Sequence, residues 1–288
     1  MSKPYLNDGQ LSGKRYSRLF VSPVVGLVLG LVGVMSNNAV ARGVAEPITP
    51  ASRMPHDSKA FTQGFIIDDD GHWYESTGLY GHSQLRRVAP ASGHALQRRA
   101  LARRYFGEGL ARFDDRLYQL TWKAGQVFVY DRATFARLDS HEYTGQGWGL
   151  ARCGHQLVMS DGSDTLVFRR PDDFSAPQRL PVRWNGQPVS QLNELETING
   201  MIWANQWHTN RLLIIDPGTG RVVAVRSADA LAAEQPDTAD VFNGIAYDAN
   251  ADRVYVTGKQ WAWVYTLGPD ASQLGVDQRT SERCIAGR

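Results

Sequence analysis

The chain has 288 residues, of which 42% are hydrophobic and 21% are charged. These values are typical of a globular protein and exclude a disordered or fibrous chain. Residues 1–41 hold four of the 31 basic and one of the 29 acidic side chains, which leaves 27 basic and 28 acidic and a net charge of −1. That balance gives no indication of a nucleic-acid surface.

The first 41 residues have the pattern of a secretory leader. Basic side chains (Lys14, Arg15 and Arg18) precede an apolar run over residues 19–35, and Ala39-Val40-Ala41 follows as an A-x-A cleavage site. We therefore predict a signal peptide over residues 1–41 and a single mature domain over residues 42–288. Because no twin arginine precedes the run, the general export route is expected, with a periplasmic or secreted product. The alternative is an uncleaved leader that anchors the protein in the membrane.

A short pattern then recurs along the chain: a glycine and an apolar residue, a polar turn, and an alternating strand. Copies begin at residues 64, 109, 149, 195 and 244, at intervals of 45, 40, 46 and 49 residues, and the copy at residue 195 is weaker. This is the period of a propeller blade of four strands. Second hairpins rich in β-branched and aromatic residues follow, as at residues 127–131, 165–168 and 211–216.

These patterns predict an all-β fold, a five-bladed β-propeller with four-stranded antiparallel blades around a central channel. Residues 42–54 are expected to supply an outer strand to the last blade, which closes the ring and removes free sheet edges. One short helical stretch is expected at Ala228–Ala233, between blades four and five. The alternative folds are a β-sandwich and a mixed α/β fold.

The two cysteines, Cys153 and Cys284, leave two alternatives open. In an oxidising compartment they could pair and fix the C-terminal tail, or they could be unrelated thiols.

Several motifs, in order, resemble the plant and bacterial type of glutaminyl-peptide cyclotransferase, the glutamine cyclotransferase family. The resemblance covers about residues 55–267. Its motifs are Pro55-His56-Asp57, Phe61–Phe65, Tyr74–Gly81, Tyr105–Gly109, Leu120-Thr121-Trp122, Gly147–Leu150, Ser160–Ser163, Leu192–Glu196, Asn243–Ala246 and Thr257-Gly258-Lys259. The resemblance implies an aminoacyltransferase that converts the N-terminal glutamine of peptides and proteins to pyroglutamate and releases ammonia.

Glu108 is the candidate general acid and base of that reaction. It lies between two glycines, after Phe106, where the first strand of a blade begins, and this region lines the channel of a propeller. One carboxyl group can take a proton from the attacking amine and return one to the leaving nitrogen. An apolar wall would bring its pKa towards the working pH. The alternative is that Glu108 is a glutamate in a turn with no role in catalysis. The resemblance favours the catalytic role.

The resemblance also implies the remaining site residues. Lys259 would stabilise the oxyanion, while Gln63 and Asn193 would hold the substrate amide. Five aromatic side chains would form the pocket, although each alone would more often be core packing. They are Phe61, Phe106, Trp122, Trp148 and Trp207.

No cofactor or metal is expected for catalysis, because the seven histidines show no HExxH motif or ligand spacing. Either Glu194 or Glu196 could anchor a neighbouring backbone or bind a metal. A structural calcium in the channel is possible, because calcium prefers oxygen ligands. We expect a monomer that acts on peptides with N-terminal glutamine and needs no obligate protein partner. Alternative functions are a metal-dependent lactonase, which chelators would inactivate, a non-catalytic propeller that binds peptides or sugars, and an outer-membrane scaffold.

Overall fold

The structure, a computed structural model, describes residues 45–268, 271–273 and 284. The predicted leader therefore lies outside the described residues, as do residues 42–44 of the predicted outer strand. The described chain begins with two short strands, β1 (Glu46–Pro47) and β2 (Pro50–Pro55). Together with the strands that follow, they form the five sheets that are the blades of the propeller, four with four strands and one that gains β1 as a fifth strand.

The first three blades are each built from strands that are consecutive in the chain. Blade 1 consists of β3 (Thr62–Ile67), β4 (Trp73–Thr77), β5 (Gln84–Ala89) and β6 (His94–Ala100). Blade 2 consists of β7 (Gly107–Phe113), β8 (Arg116–Thr121), β9 (Gln126–Asp131) and β10 (Arg137–Glu142). Blade 3 consists of β11 (Leu150–Cys153), β12 (Gln156–Met159), β13 (Thr165–Arg169) and β14 (Gln178–Pro181).

The last two blades also use the strands at the beginning of the described chain. A small hairpin, β15 (Arg183–Trp184) and β16 (Gln187–Pro188), precedes them. Blade 4 consists of β17 (Leu192–Ile198), β18 (Met201–Gln206), β19 (Arg211–Ile215) and β20 (Val222–Ser227), with β1 parallel to β20. Helix α1 (Asp229–Ala233) leads to β21 (Phe242–Asp248), β22 (Arg253–Gly258) and β23 (Trp263–Leu267) of blade 5. A 3₁₀ turn (Ala271–Gln273) follows.

Strand β2 completes blade 5 by pairing antiparallel with β23. The side chains of Ser52 and Thr266 add a hydrogen bond of 2.6 Å across this pair. The five-bladed propeller is confirmed, and so is the prediction that the chain before Pro55 supplies the outer strand of the last blade. The predicted short helix between blades 4 and 5 is also confirmed. Within the described residues no helix has the length and apolar character that crossing a membrane requires.

The recurring glycine of the sequence pattern lies where one inner strand meets the next. A Cβ atom on Gly109 would lie 2.6 Å from the backbone nitrogen of Leu150, and one on Gly149 would lie 2.0 Å from the carbonyl oxygen of Asn193. Only glycine allows the inner strands of neighbouring blades to approach this closely. The repeated glycine is therefore a consequence of ring closure around a narrow channel.

Blade 4 carries Glu194 at the position of this glycine. Its side chain is fully buried. One carboxyl oxygen accepts a hydrogen bond from the backbone N–H of Phe65 at 3.3 Å, and the other accepts one from that of Ile245 at 2.9 Å. Glu194 thus links the inner strands of blades 1, 4 and 5, which matches the backbone-anchor alternative of the sequence analysis.

Five hydrophobic clusters form the core, and each lies between two neighbouring blades. The cluster between blades 3 and 4 contains a disulfide bond between Cys153 and Cys284. This resolves the open question about the two cysteines, because the bond ties Cys284 to strand β11. The core is therefore a continuous ring of packed interfaces that surrounds the channel.

Candidate active site

A cavity of about 320 Å³ lies where the inner strands of the blades begin. All five blades contribute to its lining, and each does so at the start of its inner strand or in the loop between its second and third strands. The lining residues are Phe61, Gln63 and Leu79 from blade 1, Phe106, Glu108 and Trp122 from blade 2, Trp148 from blade 3, Asn193, Trp207 and His208 from blade 4, and Asp240 and Lys259 from blade 5. The cavity is thus a product of the whole ring.

Backbone bulges at the start of the inner strands place the polar residues of the cavity. The register of β3 with β4 shifts around Gln63, that of β7 with β8 shifts around Glu108, and that of β17 with β18 shifts around Asn193. A bulge interrupts the regular ladder and redirects the side chains at that position. These three side chains therefore line the cavity, although each stands at the start of a strand whose other residues pack in the core.

Strand alternation in blade 4 predicts that Asn193 and Leu195 lie on one face of β17 and Glu194 and Glu196 on the other. In the structure Asn193 lines the cavity, while Leu195 packs in the cluster between blades 3 and 4. The register of β17 with β18 shifts between Leu192 and Leu195, so the ladder is irregular at this point.

Glu108 is 4% exposed at the cavity wall. The side-chain amide of Gln63 donates a hydrogen bond of 3.0 Å to its Oε1 atom. Burial raises the pKa of Glu108 well above its ordinary value of 4.5, and the positive charge of Lys259 acts in the opposite direction. The carboxyl group therefore holds its proton to higher pH than an exposed glutamate does, which suits a group that must both accept and donate a proton.

Lys259 lies in the loop between β22 and β23 and is 5% exposed. Its backbone N–H donates to Val241, and its carbonyl oxygen accepts from the N–H of Asp240, at 3.0 and 2.9 Å. Its Nζ atom stands 4.9 Å from the ring centre of Phe61. Burial lowers the pKa of Lys259, and the negative charges of Glu108 and Asp240 raise it. A buried ammonium group is thus held within electrostatic reach of Glu108.

The aromatic walls consist of rings that meet edge to face. Phe106 contacts Phe61 with ring centres 6.1 Å apart and Trp122 with ring centres 5.5 Å apart. On the other side Trp148 and Trp207 lie 5.2 Å apart. Edge-to-face pairs of this kind fix ring orientation. The walls provide a rigid, apolar lining that lowers the local dielectric around Glu108 and Lys259.

The structure brings all nine residues predicted from the sequence into this one cavity. They are Phe61, Gln63, Phe106, Glu108, Trp122, Trp148, Asn193, Trp207 and Lys259. Sequence reasoning missed three further lining residues as site candidates. Leu79 belongs to one of the family motifs but was not predicted as a site residue. His208 follows Trp207 in the chain, and the centres of their rings are 3.6 Å apart. Asp240 lies in none of the motifs.

Among residues 45–268 and the described part of the tail, no group of three or more His, Cys, Asp or Glu side chains is arranged to hold a metal ion. Both carboxyl oxygens of Glu194 accept hydrogen bonds from backbone N–H groups. The expectation of a metal-free reaction and the open possibility of a structural calcium both stay predictions.

Comparison with known proteins agrees with this geometry. Residues 27–268 match the family model described as glutamine cyclotransferase. An Arabidopsis thaliana protein named glutaminyl-peptide cyclotransferase is 36% identical over 243 residues, which cover 83% of this chain and 76% of the relative. The crystal structure of Myxococcus xanthus glutaminyl cyclase matches with a TM-score of 0.72 and 38% identity, over 77% of this chain and 98% of that one. The family predicted from the sequence is confirmed: this chain belongs to the glutamine cyclotransferase family.

Proposed function

We propose that this protein is a glutaminyl-peptide cyclotransferase that uses Glu108 as its general acid and base. The reaction closes an N-terminal glutamine into pyroglutamate and releases ammonia. Membership of the family and the 36% identical relative named for this activity support the assignment as an aminoacyltransferase. The observation that carries the mechanism is a buried carboxyl group with a raised pKa, hydrogen-bonded to Gln63 in an aromatic cavity that also holds Lys259.

The reaction needs one proton donor and acceptor beside both nitrogens. The neutral α-amine attacks the carbon of the γ-carboxamide, so that a C–N bond forms and the carbonyl oxygen becomes an oxyanion. Glu108 accepts the proton that the attacking nitrogen loses. It then donates a proton to the original amide nitrogen; the oxyanion returns to a carbonyl as the bond between its carbon and that nitrogen breaks, and ammonia leaves. Glu108 ends in the protonation state in which it began, so one carboxyl group is sufficient.

The other polar residues position the substrate and stabilise charge. The Oε1 atom of Gln63 is buried and has no hydrogen-bond partner within the described part of the chain, so it can accept a hydrogen bond from a substrate nitrogen. Asn193 lines the same cavity and can bind the γ-amide. Holding amine and carbonyl together lowers the entropic part of the barrier. The ammonium group of Lys259 can stabilise the developing oxyanion, and its burial among aromatic side chains strengthens that interaction.

The substrates on this proposal are peptides or proteins with an N-terminal glutamine. We further propose that the protein meets them in the periplasm or outside the cell, because the leader over residues 1–41 has the pattern of an export signal. The disulfide bond between Cys153 and Cys284 is consistent with an oxidising compartment. A monomer without an obligate protein partner remains the expected state.

The proposal is tested with the mature protein, Gln-Ala as substrate, and ammonia release as the measurement. We expect Glu108→Gln to lower kcat by about 10²–10⁴-fold, the usual contribution of a general acid and base. Glu142→Gln is the matched control, because Glu142 is exposed on the outer strand of the same blade. Normal turnover by Glu108→Gln would exclude this carboxyl as the proton carrier, whereas an inactive wild-type protein would exclude the reaction itself.

A further inference from the structure

Two large apolar side chains are exposed beside the cavity, in the loop between β4 and β5. Leu79 is 38% exposed and lines the cavity, and its neighbour Tyr80 is 51% exposed. Adjacent exposed apolar residues at the edge of a cavity are typical of a ligand contact. We call Leu79 and Tyr80 the apolar shelf.

The backbone of Leu79 is in a conformation that leucine rarely adopts. Its φ angle is +80°, in the left-handed region that favours glycine. The carbonyl oxygen of Leu79 accepts hydrogen bonds from the N–H of His82 at 3.0 Å and from the hydroxyl of Ser83 at 2.8 Å, which hold the loop in this form. Strained residues of this kind cluster at active sites and ligand-binding sites, and Leu79 combines this strain with a place in the cavity lining.

The shelf rests on the cavity wall. The ring of Tyr80 lies 5.3 Å from that of Phe106, edge to face. A Cβ atom on Gly78 would lie 2.3 Å from the same Phe106 ring and 3.0 Å from Phe61. The loop is therefore packed tightly on two residues of the candidate site, and the shelf has a defined position relative to the bound glutamine.

A substrate peptide can extend over this edge of the cavity, because Leu79 lines the cavity and is also exposed to solvent. Only its first residue reacts, and the Cα atom of the second residue is about 3.8 Å from that of the first. The second side chain therefore lies at the mouth of the cavity when the glutamine is inside. We propose that the apolar shelf binds the side chain of this second residue and gives the enzyme a preference for large apolar residues there. The inference rests on the proposed function.

The test compares kcat/KM for Gln-Leu and Gln-Phe with that for Gln-Gly and Gln-Asp. We expect the wild-type protein to prefer the apolar pair by about three- to tenfold, less than an enclosed apolar pocket achieves because the shelf is half open. Leu79→Gly removes the side chain and relieves the positive φ. It should lower this preference towards one while the Tm stays equal or rises.

Leu96→Ala is the matched control, because Leu96 is a leucine 60% exposed on the outer strand of the same blade. It should keep the wild-type preference. Calorimetric binding of the same peptides to Glu108→Gln measures the preference without turnover, so that failure of the shelf and failure of the proposed reaction are distinguished. Equal affinities for Gln-Leu and Gln-Gly, or a preference that survives Leu79→Gly, would overturn the inference.

Discussion

Glu108 and Lys259 are opposite charges whose burial favours the neutral form of each. Burial raises the pKa of the carboxyl and lowers that of the ammonium, while each charge partly restores the other. Asp240 at the cavity edge adds a further negative charge that raises the pKa of Lys259. The two pKa values are therefore shifted towards each other by burial, as is typical of groups at functional sites.

Replacement of Lys259 tests its role as an electrostatic stabiliser. Lys259→Ala should lower kcat by about 10²–10³-fold, the usual loss for one oxyanion donor, with a smaller change in KM. It should also raise the pKa of Glu108 further, because the charge of Lys259 lowers it. The acid limb of the pH profile of kcat/KM should then move to higher pH.

Lys59→Ala, at an exposed lysine before β3, is the control for this variant. Steady-state kinetics of Lys259→Ala that show a higher KM with an unchanged kcat would assign Lys259 to substrate binding instead.

At the scale of single strands, the site depends on how each inner strand begins. The bulges around Gln63, Glu108 and Asn193 aim polar side chains into the cavity. The glycines after Gln63 and Glu108 let the next blade approach, and Glu194 occupies the corresponding position after Asn193. These two features are coupled, because Gly109 directly follows Glu108 in the chain.

Gly109→Ala should therefore disturb both packing and catalysis. Its Cβ atom would lie 2.6 Å from the backbone nitrogen of Leu150 and 2.6 Å from the carbonyl oxygen of Trp148, and backbone atoms cannot move aside as a flexible side chain can. We expect a loss of about 1–3 kcal/mol in the free energy of unfolding, as for other overpacked sites, measured by urea denaturation.

The control is Gly268→Ala, where the nearest atom to the new Cβ is the carbonyl oxygen of Thr49 at 3.8 Å. Equal stability of the two variants would show that the inner strands have room to separate.

At the scale of the whole molecule, strand β2 completes blade 5, and a disulfide bond ties Cys284 to blade 3. Cys153 and Cys284 are 131 residues apart, so their bond restricts a long segment of the unfolded chain. Replacing both cysteines by alanine should lower the free energy of unfolding by about 2–5 kcal/mol. Thermal unfolding of the double variant, and of the wild type with and without reductant, measures this loss. A Tm that neither the substitutions nor the reductant lowers would contradict the prediction.

Glu196, a half-buried carboxyl group on β17, should make stability depend on pH. Burial raises the pKa of Glu196 from 4.5 to about 8, partly opposed by a hydrogen bond from the N–H of Thr197. Between these two values the folded protein holds a proton that the unfolded chain has released. The contribution of Glu196 to the free energy of unfolding is thus largest below pH 4.5 and falls as pH rises to about 8.

Glu196→Gln should remove this decline, so that the variant gains stability relative to the wild type at pH 8 but not at pH 4.5. Urea unfolding at several pH values measures the difference. Glu142→Gln, at an exposed carboxyl, should keep the wild-type slope. A wild-type slope in Glu196→Gln would show that Glu196 ionises freely in the folded state.

The sequence by itself determined the five-bladed ring, the outer strand before Pro55, and the nine residues that meet in the cavity. Blade repeats are local patterns of glycine, turn and strand, and family motifs persist at fixed positions in the chain, so both are visible without coordinates. The roles of the nine residues stay proposals.

Only the tertiary structure decided what depends on contact between blades. It placed Asp240 and His208 beside Lys259 and Trp207 in the cavity lining, showed Glu194 at a glycine position with its carboxyl shared by two other blades, and joined Cys153 to Cys284. It also showed a shift of strand register beside Asn193. These features join residues that are far apart in the chain, and their geometry follows from how the five sheets pack around one axis.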